Sequence, residues 1–320
     1  MSPSSQHVTI LGAGLMGAGI AQVFAAHGST VTLFDISSAQ LERALQSIQG
    51  NLQVMTEKGL VSEAERAALM ARVRVQADLP QALTQATLVI EAVSESVPIK
   101  TEVFRAVSEH APKDAQVWSN TSTLDVFALA PAELLPRLLI AHWFAPAHIL
   151  PLVEVVASES MQSEKRDAAV ALLRSLGKAP VVLKRFVPGF LINRFLRALG
   201  REAFHLLDEG VIDAADLDQA VRTSLAPRMV VLGVMQRYDF TGLDLSAKNL
   251  ANPEFSDAPV NLAPRELIGR VQAGELGVKT GKGFYDYGQR STQELSQRRD
   301  ALLWDVVNGC EAILHGRDAV

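Results

Sequence analysis

The sequence predicts an α/β protein: a largely parallel sheet flanked by helices and carrying a helical hairpin insertion, followed by an all-helical C-terminal domain. Three observations lead there. Short β-branched runs alternate with helical stretches through the first half, a glycine-rich turn joins the first strand to the first helix, and no convincing strand follows Gly189. Alternation of this kind requires crossover connections, which make neighbouring strands parallel and cover both faces of the sheet.

The strand candidates, in order, are HVTILG, TVTLFD, RVRV, ATLVIEAV, AQVWSN, RLLIAHWF, PLVEVV and APVVLK, with periodic segments between most of them. Residues 1–6 are small and polar and are expected to form a loose tail. The stretch from Ser37 to Val73 is too long for one crossover helix. Within it AQLERALQSIQGNLQVMTEKG and SEAERAALMARV read as two helices, the second opened by Ser62 with Glu65 three residues on as a capping box. The two are expected to project from the domain as a hairpin.

Composition changes after LKRFVPGF. From Phe190 to Gly210 the apolar residues fall at helical spacing, and an Asp-capped segment, DAADLDQAVRTSL, follows. Pro188 and Gly189 punctuate the chain near Arg185–Gly189, which places the domains at 1–186 and 187–320.

At 320 residues the chain has room for two cores, and its 48% hydrophobic and 20% charged content is that of a globular protein. A net charge of −5 offers no basic excess for nucleic acid or anionic lipid. One cysteine, Cys310, excludes an intrachain disulfide, and no Cys/His cluster has zinc-ligand spacing, so no metal is expected. With neither a signal-like N-terminus nor an apolar run of bilayer length, a cytoplasmic protein without membrane contact is the expectation.

VTILGAGLMGAGIA places Gly12, Gly14 and Gly17 between a strand and a helix. Gly12 can make the tight turn, Gly14 lets backbone amides approach a pyrophosphate, and Gly17 permits close helix–strand contact, with the helix N-terminus facing the anion. Leu15 and Met16, between the last two glycines, belong with them as cofactor-binding positions. The next strand ends at Asp35, at the interval of a carboxylate that takes hydrogen bonds from a ribose. That acid repels a 2′-phosphate, and Ile36, Ser37 and Ser38 follow it without an arginine, so the Rossmann-type domain is expected to take NAD rather than NADP.

AHWFAPAHILPLVEVV commits His142 and Glu154 to an apolar neighbourhood. Burial of either costs free energy unless it is partnered, and the prolines of APAHILP favour a turned connection that folds Glu154 back beside the histidine. Two readings stand: a structural buried pair, or a base held by a carboxylate that fixes the imidazole tautomer.

Beyond this point the residues resemble the L-3-hydroxyacyl-CoA dehydrogenases and relatives acting on other 3-hydroxy acids. The resemblance runs from about His7 to Tyr287 and rests on ILGAGLMGAGIA, EAVSES, SNTSTL, HWFAPAHILPLVEVV, VPGFLINR and GVKTGKGFYDY, in that order. It implies His142 as the base, Glu154 as its orienting acid, and Ser122 and Asn193 as contacts of the reacting hydroxyl or its neighbouring carbonyl. It also implies that Glu95, Lys100, Ser122 and Lys279 contact the dinucleotide, and that the protein is a homodimer through its helical domain. Read without the family, Ser122 would be a strand-ending turn or helix cap, Asn193 a helix-start polar residue, Lys279 a solvated loop lysine and Glu95 a surface charge.

Two departures stand out. The family usually has asparagine three residues after its histidine, where this chain has Ala145, which removes one expected dinucleotide contact. In the helical domain, APRMVVLGVMQRYDFTGLD keeps DFTGLD but alters the turn before it, as in relatives that handle compact acids. The hairpin instead looks like that of 3-hydroxybutyryl-CoA dehydrogenases, yet Glu42, Glu57, Glu63 and Glu65 offset its Lys58, Arg66, Arg72 and Arg74, the cations a CoA ester would need. The first expectation is therefore NAD-dependent interconversion of a short-chain 3-hydroxyacyl-CoA and its 3-oxo product, and the second is the same chemistry on a CoA-free acid such as carnitine or gulonate. A non-enzymatic dinucleotide-binding protein is the third. A lysine-based 3-hydroxyisobutyrate or phosphogluconate type is disfavoured, because GFLINRFLRALGREAF lacks the lysine.

Overall fold

The computed structural model describes residues 6–254 and 256–316. It divides into two compact units, Met1–Leu191 and Ile192–Val320.

In the first unit the β-branched runs form one sheet of eight strands: β1 (His7–Leu11), β2 (Thr30–Phe34), β3 (Val73–Gln76), β4 (Leu88–Glu91), β5 (Gln116–Ser119), β6 (Leu138–Trp143), β7 (Leu152–Ala157) and β8 (Ala179–Val182). Their spatial order is β3-β2-β1-β4-β5-β6-β7-β8. The first six are parallel in the doubly wound order, with the reversal between β1 and β4. β7 runs antiparallel to β6, and β8 runs parallel to β7.

Helices cover both faces. α1 (Leu15–Ala26), α2 (Ser38–Glu57), α3 (Glu63–Arg72) and α6 (Ser163–Ser175) enclose one core with Phe24, Trp118 and Trp143 at its centre. α4 (Leu79–Leu83) and α5 (Val97–His110) enclose the other, where Phe104, Ile140 and Phe190 are buried. The central strands β4 and β6 are buried along their whole length because helices cover both faces, while the edge strands β3 and β8 keep exposed residues.

The α2–α3 hairpin exists, and Ser62 and Glu65 form the capping box. It does not project. Leu41, Ala44, Ile48 and Leu52 form a stripe at helical spacing that is buried with Leu69 against α1, and Arg72 donates to the Ala25 carbonyl at the end of α1. An amphipathic pair with one apolar side lies down on the domain because burying that side outweighs the solvation gained by standing free.

The expected tail needs a second correction at Gln6. It is 5% exposed, its backbone carbonyl accepts from Thr30 N–H, and its side-chain oxygen accepts from the Thr87 hydroxyl. Residues 1–5 lie outside the described residues.

The second unit is helical: α7 (Ile192–Asp208), α8 (Ala214–Ala220), α9 (Ala226–Leu232), α10 (Met235–Thr241), α11 (Leu243–Leu250), α12 (Arg265–Gln272), α13 (Thr292–Gly309) and α14 (Glu311–Leu314). Asp213 caps α8 by accepting from Asp216 N–H, and the Asp-capped segment continues through a π turn, Val221–Leu225, into α9. Among the described residues, extended pairing in this unit is confined to single bridges around Lys282. Among those residues, too, no helix is long and apolar enough to cross a membrane.

Candidate active site

The polar residues singled out in the first unit gather at the carboxyl ends of the parallel strands, where an open α/β sheet leaves a crevice at its point of reversal. The glycine turn comes first. Gly12 has φ +102°, and a Cβ there would stand 2.5 Å from the Ala92 carbonyl oxygen at the end of β4. A Cβ on Gly17 would stand 1.9 Å from the Gly12 oxygen, so the start of α1 sits directly on the turn. Beside Gly14 a Cβ would meet nothing within 4 Å, which leaves its backbone open to a ligand.

Asp35 follows β2 and braces this turn: one carboxylate oxygen accepts from Ala13 N–H (3.0 Å) and the other from Ser37 N–H (3.0 Å). Gln40, which sequence reasoning missed, donates to the Ala13 carbonyl at 2.7 Å. Each Asp35 oxygen keeps a second lone pair for a ribose hydroxyl. These features fit a dinucleotide: an unencumbered amide at a helix N-terminus for the pyrophosphate, and a fixed acid one strand away for the ribose.

His142 and Glu154 face one another across the antiparallel β6–β7 pair, in direct register. His142 Nδ1 lies 2.8 Å from Glu154 Oε2, with the carboxylate fully buried and the histidine 4% exposed. The other Glu154 oxygen accepts from Leu191 N–H at 2.9 Å. Two phenylalanine rings flank the imidazole, Phe144 at 4.5 Å and Phe190 at 5.2 Å between centroids. Phe190 is buried and holds φ 49°, a left-handed backbone that a bulky residue adopts only where its surroundings compensate. Its gain is visible: the ring reaches His142 while the next N–H is aimed at Glu154. Nothing in the sequence marks Phe190 for this, and α7 accordingly begins at Ile192 rather than at Phe190.

Ser122 lies in the turn after β5, half-buried, and that turn is wrapped around Glu95. Glu95 Oε1 accepts from the N–H groups of Ser122 (2.9 Å), Thr123 (2.7 Å) and Leu124 (3.3 Å) and from the hydroxyls of Thr121 and Thr123. Burial alone would raise its pKa, but the Thr121 hydroxyl, the Lys100 ammonium and the Thr123 donors outweigh it and hold the carboxyl at about 2. Glu95 is thus an organised anion rather than a loose surface charge. Its side chain is still 35% exposed, so it can meet a ligand.

Lys100 is placed differently. Only 1% of its side chain is exposed, and its ammonium lies 2.6 Å from Glu91 and 3.3 Å from Glu95. It stands behind Glu95. Sequence reasoning missed Glu91, which is fully buried, receives the Ser119 hydroxyl, and accepts from Asn120 N–H through its carbonyl. Asn120 in turn accepts from Trp143 N–H at 2.9 Å, tying the turn to the residue beside His142. The polar run SNTST was the available signal, though it does not identify the acids it wraps.

Ala145 is exposed in the β6–β7 connection, and its methyl group donates nothing in place of the family's asparagine. Asn193 and Lys279 belong to the second unit. Asn193 is the second residue of α7 and half-buried, and Lys279 sits in a short 3-10 turn, exposed, beside a cleft of about 620 Å³ lined by Phe204, Leu207, Leu217 and Phe284.

Comparison with known proteins gives two family matches: the 3-hydroxyacyl-CoA dehydrogenase NAD binding domain over residues 7–186 and the C-terminal domain of the same enzymes over residues 189–287. The chain is 34% identical to 5-formyl-3-hydroxy-2-methylpyridine 4-carboxylate 5-dehydrogenase of Mesorhizobium japonicum, over 98% of this chain and 99% of that one. A crystal structure of an enzyme of that activity, described as an NAD+ dependent dismutase, superposes with a TM-score of 0.83, again at 34% identity and with the same coverage of the two chains. A probable 3-hydroxybutyryl-CoA dehydrogenase of Bacillus subtilis is 32% identical over 90% of this chain and 99% of its own. The (S)-3-hydroxybutyryl-CoA dehydrogenase of Ralstonia eutropha, 28% identical, covers 89% of this chain and 99% of its own with a TM-score of 0.70.

Proposed function

Because the chain belongs to the 3-hydroxyacyl-CoA dehydrogenase family, an NAD-dependent group of oxidoreductases acting on CH–OH, we propose that it oxidises the hydroxyl of a small carboxylic acid that carries no coenzyme A. The observation that carries this reading is the degree of likeness over the full chain. The 3-hydroxybutyryl-CoA dehydrogenases of Bacillus subtilis and Ralstonia eutropha leave about a tenth of this chain unmatched, and a 3-hydroxyacyl-CoA dehydrogenase of Archaeoglobus fulgidus covers 96% of it at 29% identity and a TM-score of 0.62, whereas the pyridine carboxylate dehydrogenase covers 98% at 34% identity and a TM-score of 0.83. The family's C-terminal model stops at residue 287, short of α13 and α14.

The hairpin supports it. Arg66, one of the cations available for a CoA phosphate, is engaged by Gln53 and Glu63, and Arg72 by the Ala25 carbonyl. The short-chain thioester expected from sequence remains the second reading, favoured by the number of thioester dehydrogenases among the relatives.

The chemistry follows from the His142 site. Gly12, Gly14, Leu15, Met16 and Gly17 would hold the pyrophosphate of NAD and Asp35 its ribose, with Glu95 at the crevice wall and Lys100 setting Glu95. Lys279 is assigned to the dinucleotide on the strength of the family resemblance. When bound, NAD supplies the acceptor for the carbinol hydride. A secondary alcohol ionises far above neutral pH, so its proton must leave as the hydride does. Nδ1 of His142 is committed to Glu154, which keeps that nitrogen protonated and leaves Nε2 to take the hydroxyl proton. Glu154 then faces an imidazolium, and the two phenylalanine rings keep water from competing for it. Ser122 and Asn193 are assigned to the substrate oxygen. The apolar side chains exposed along α7, Phe195, Leu196 and Leu199, support a homodimer through this unit.

Steady-state assays with NAD against carnitine, gulonate and 3-hydroxybutyryl-CoA separate the two readings. The expected result is kcat/KM at least about tenfold higher for a free acid than for the thioester. Turnover confined to the thioester overturns the CoA-free reading.

A further inference from the structure

One buried charge has no part in the chemistry above. Lys178, between α6 and β8, is 5% exposed, yet among the described residues no carboxylate pairs with it. Its ammonium donates to the carbonyls of Ala147 (2.7 Å) and Leu150 (3.1 Å) and lies 5.5 Å from the centre of the Trp143 ring. Burial pushes its pKa down to about 8. A cation kept there at such cost is doing something the fold needs.

Its two acceptors show what. Residues 146–150 form a single helical turn, with the N–H groups of Ile149 and Leu150 both bonded to the Pro146 carbonyl. The carbonyls of Ala147 and Leu150 are left over at the negative end of that turn, and one ammonium satisfies both. From the other side Ala147 packs on Gly19 of α1, so closely that a Cβ on Gly19 would approach it to 3.2 Å. The connection between the strands of His142 and Glu154 is therefore clamped between the dinucleotide helix and Lys178.

Resting on the dehydrogenase reading, we propose that Lys178 is a positioning residue: by holding the 144–151 connection it sets the place of Phe144, Ala145 and the His142 ring relative to cofactor and substrate. It touches no reacting atom. Its effect runs through the backbone of Ala147 and Leu150.

The test is Lys178→Met, which keeps the unbranched apolar stem of the side chain and removes its donors, read in two ways on the full chain. Hydrogen exchange of the 144–151 amides is expected to accelerate by about tenfold or more while exchange in β1 and β5 stays as in the wild type. Turnover at saturating NAD and acid is expected to fall by about tenfold or more, with KM for NAD within about threefold, and Lys178→Arg is expected to recover part of both. If the methionine variant fails to fold, Lys178→Gln carries the same two measurements. Unchanged exchange in 144–151, or a loss of melting temperature with turnover intact, overturns the proposal and leaves Lys178 a structural residue. Wild-type protein inactive on every acid and thioester overturns the dehydrogenase reading instead, and the exchange result still decides whether Lys178 holds the connection.

Discussion

His142–Glu154 and Glu95 with its turn are two ways of fixing a polar group at the same edge of one sheet. The first pair is set by strand register: two residues opposite one another on β6 and β7 meet because the backbone ladder leaves them no alternative. The second is set by side chains, since a single carboxylate gathers three backbone N–H groups and two hydroxyls into a turn that has no ladder of its own. A ladder is made of main-chain hydrogen bonds that do not titrate, whereas a turn wrapped on an anion depends on that anion's charge.

The largest expected effect strikes the ladder-set pair. His142→Gln should cut kcat by about 10³-fold while NADH binding, followed by fluorescence, stays close to wild type, because the ring's task is proton removal. Full activity in this variant would break the comparison at its strong end by leaving Glu154 with nothing to hold. Next comes Glu95→Ala. Loss of its acceptor leaves the N–H groups of Ser122, Thr123 and Leu124 unmet at about 1–3 kcal/mol for each that water cannot reach, and displacement of Ser122 should lower kcat/KM roughly ten- to a hundredfold. A Glu95→Ala enzyme as active as wild type would mean that the turn holds itself.

The smallest effect sharpens the distinction through pH. Glu95 titrates at about 2 in the folded chain against 4.5 for the ordinary carboxyl, so its contribution to stability is complete above 4.5 and is lost as pH falls from there towards 2. The melting-temperature gap between wild type and Glu95→Gln should therefore be constant near neutrality and shrink through that acid window. A gap that does not change with pH would show that geometry and not charge holds the turn.

The same contrast explains what could be read from sequence. All eight strands were legible, since β-branched runs bounded by glycine, proline and polar clusters signal them locally, and so was the turn that folds Glu154 back on His142. The docking of α2 is legible in principle from the spacing of Leu41, Ala44, Ile48 and Leu52, a stripe that the expectation of a projecting hairpin leaves out of account. Glu91 receiving the Ser119 hydroxyl, Glu95 organising residues 121–124, and Lys178 reaching back to Ala147 were not legible, because each joins residues more than two dozen positions apart without a spacing rule. Phe190 was hidden for a different reason: its left-handed backbone is a strain that only the finished core compensates.

The antiparallel strand beside six parallel ones has a consequence for how such a protein can change. Side chains alternate between faces, so adding one residue inside β6 or β7 would send histidine and glutamate to opposite sides of the sheet. Between Phe144 and Pro151 most positions are tied to that pair as well, since Phe144 flanks the imidazole, Ala147 packs on Gly19, and the carbonyls of Ala147 and Leu150 meet Lys178. Exposed Ala145 carries none of these contacts, which makes it the position to randomise when a new specificity is wanted.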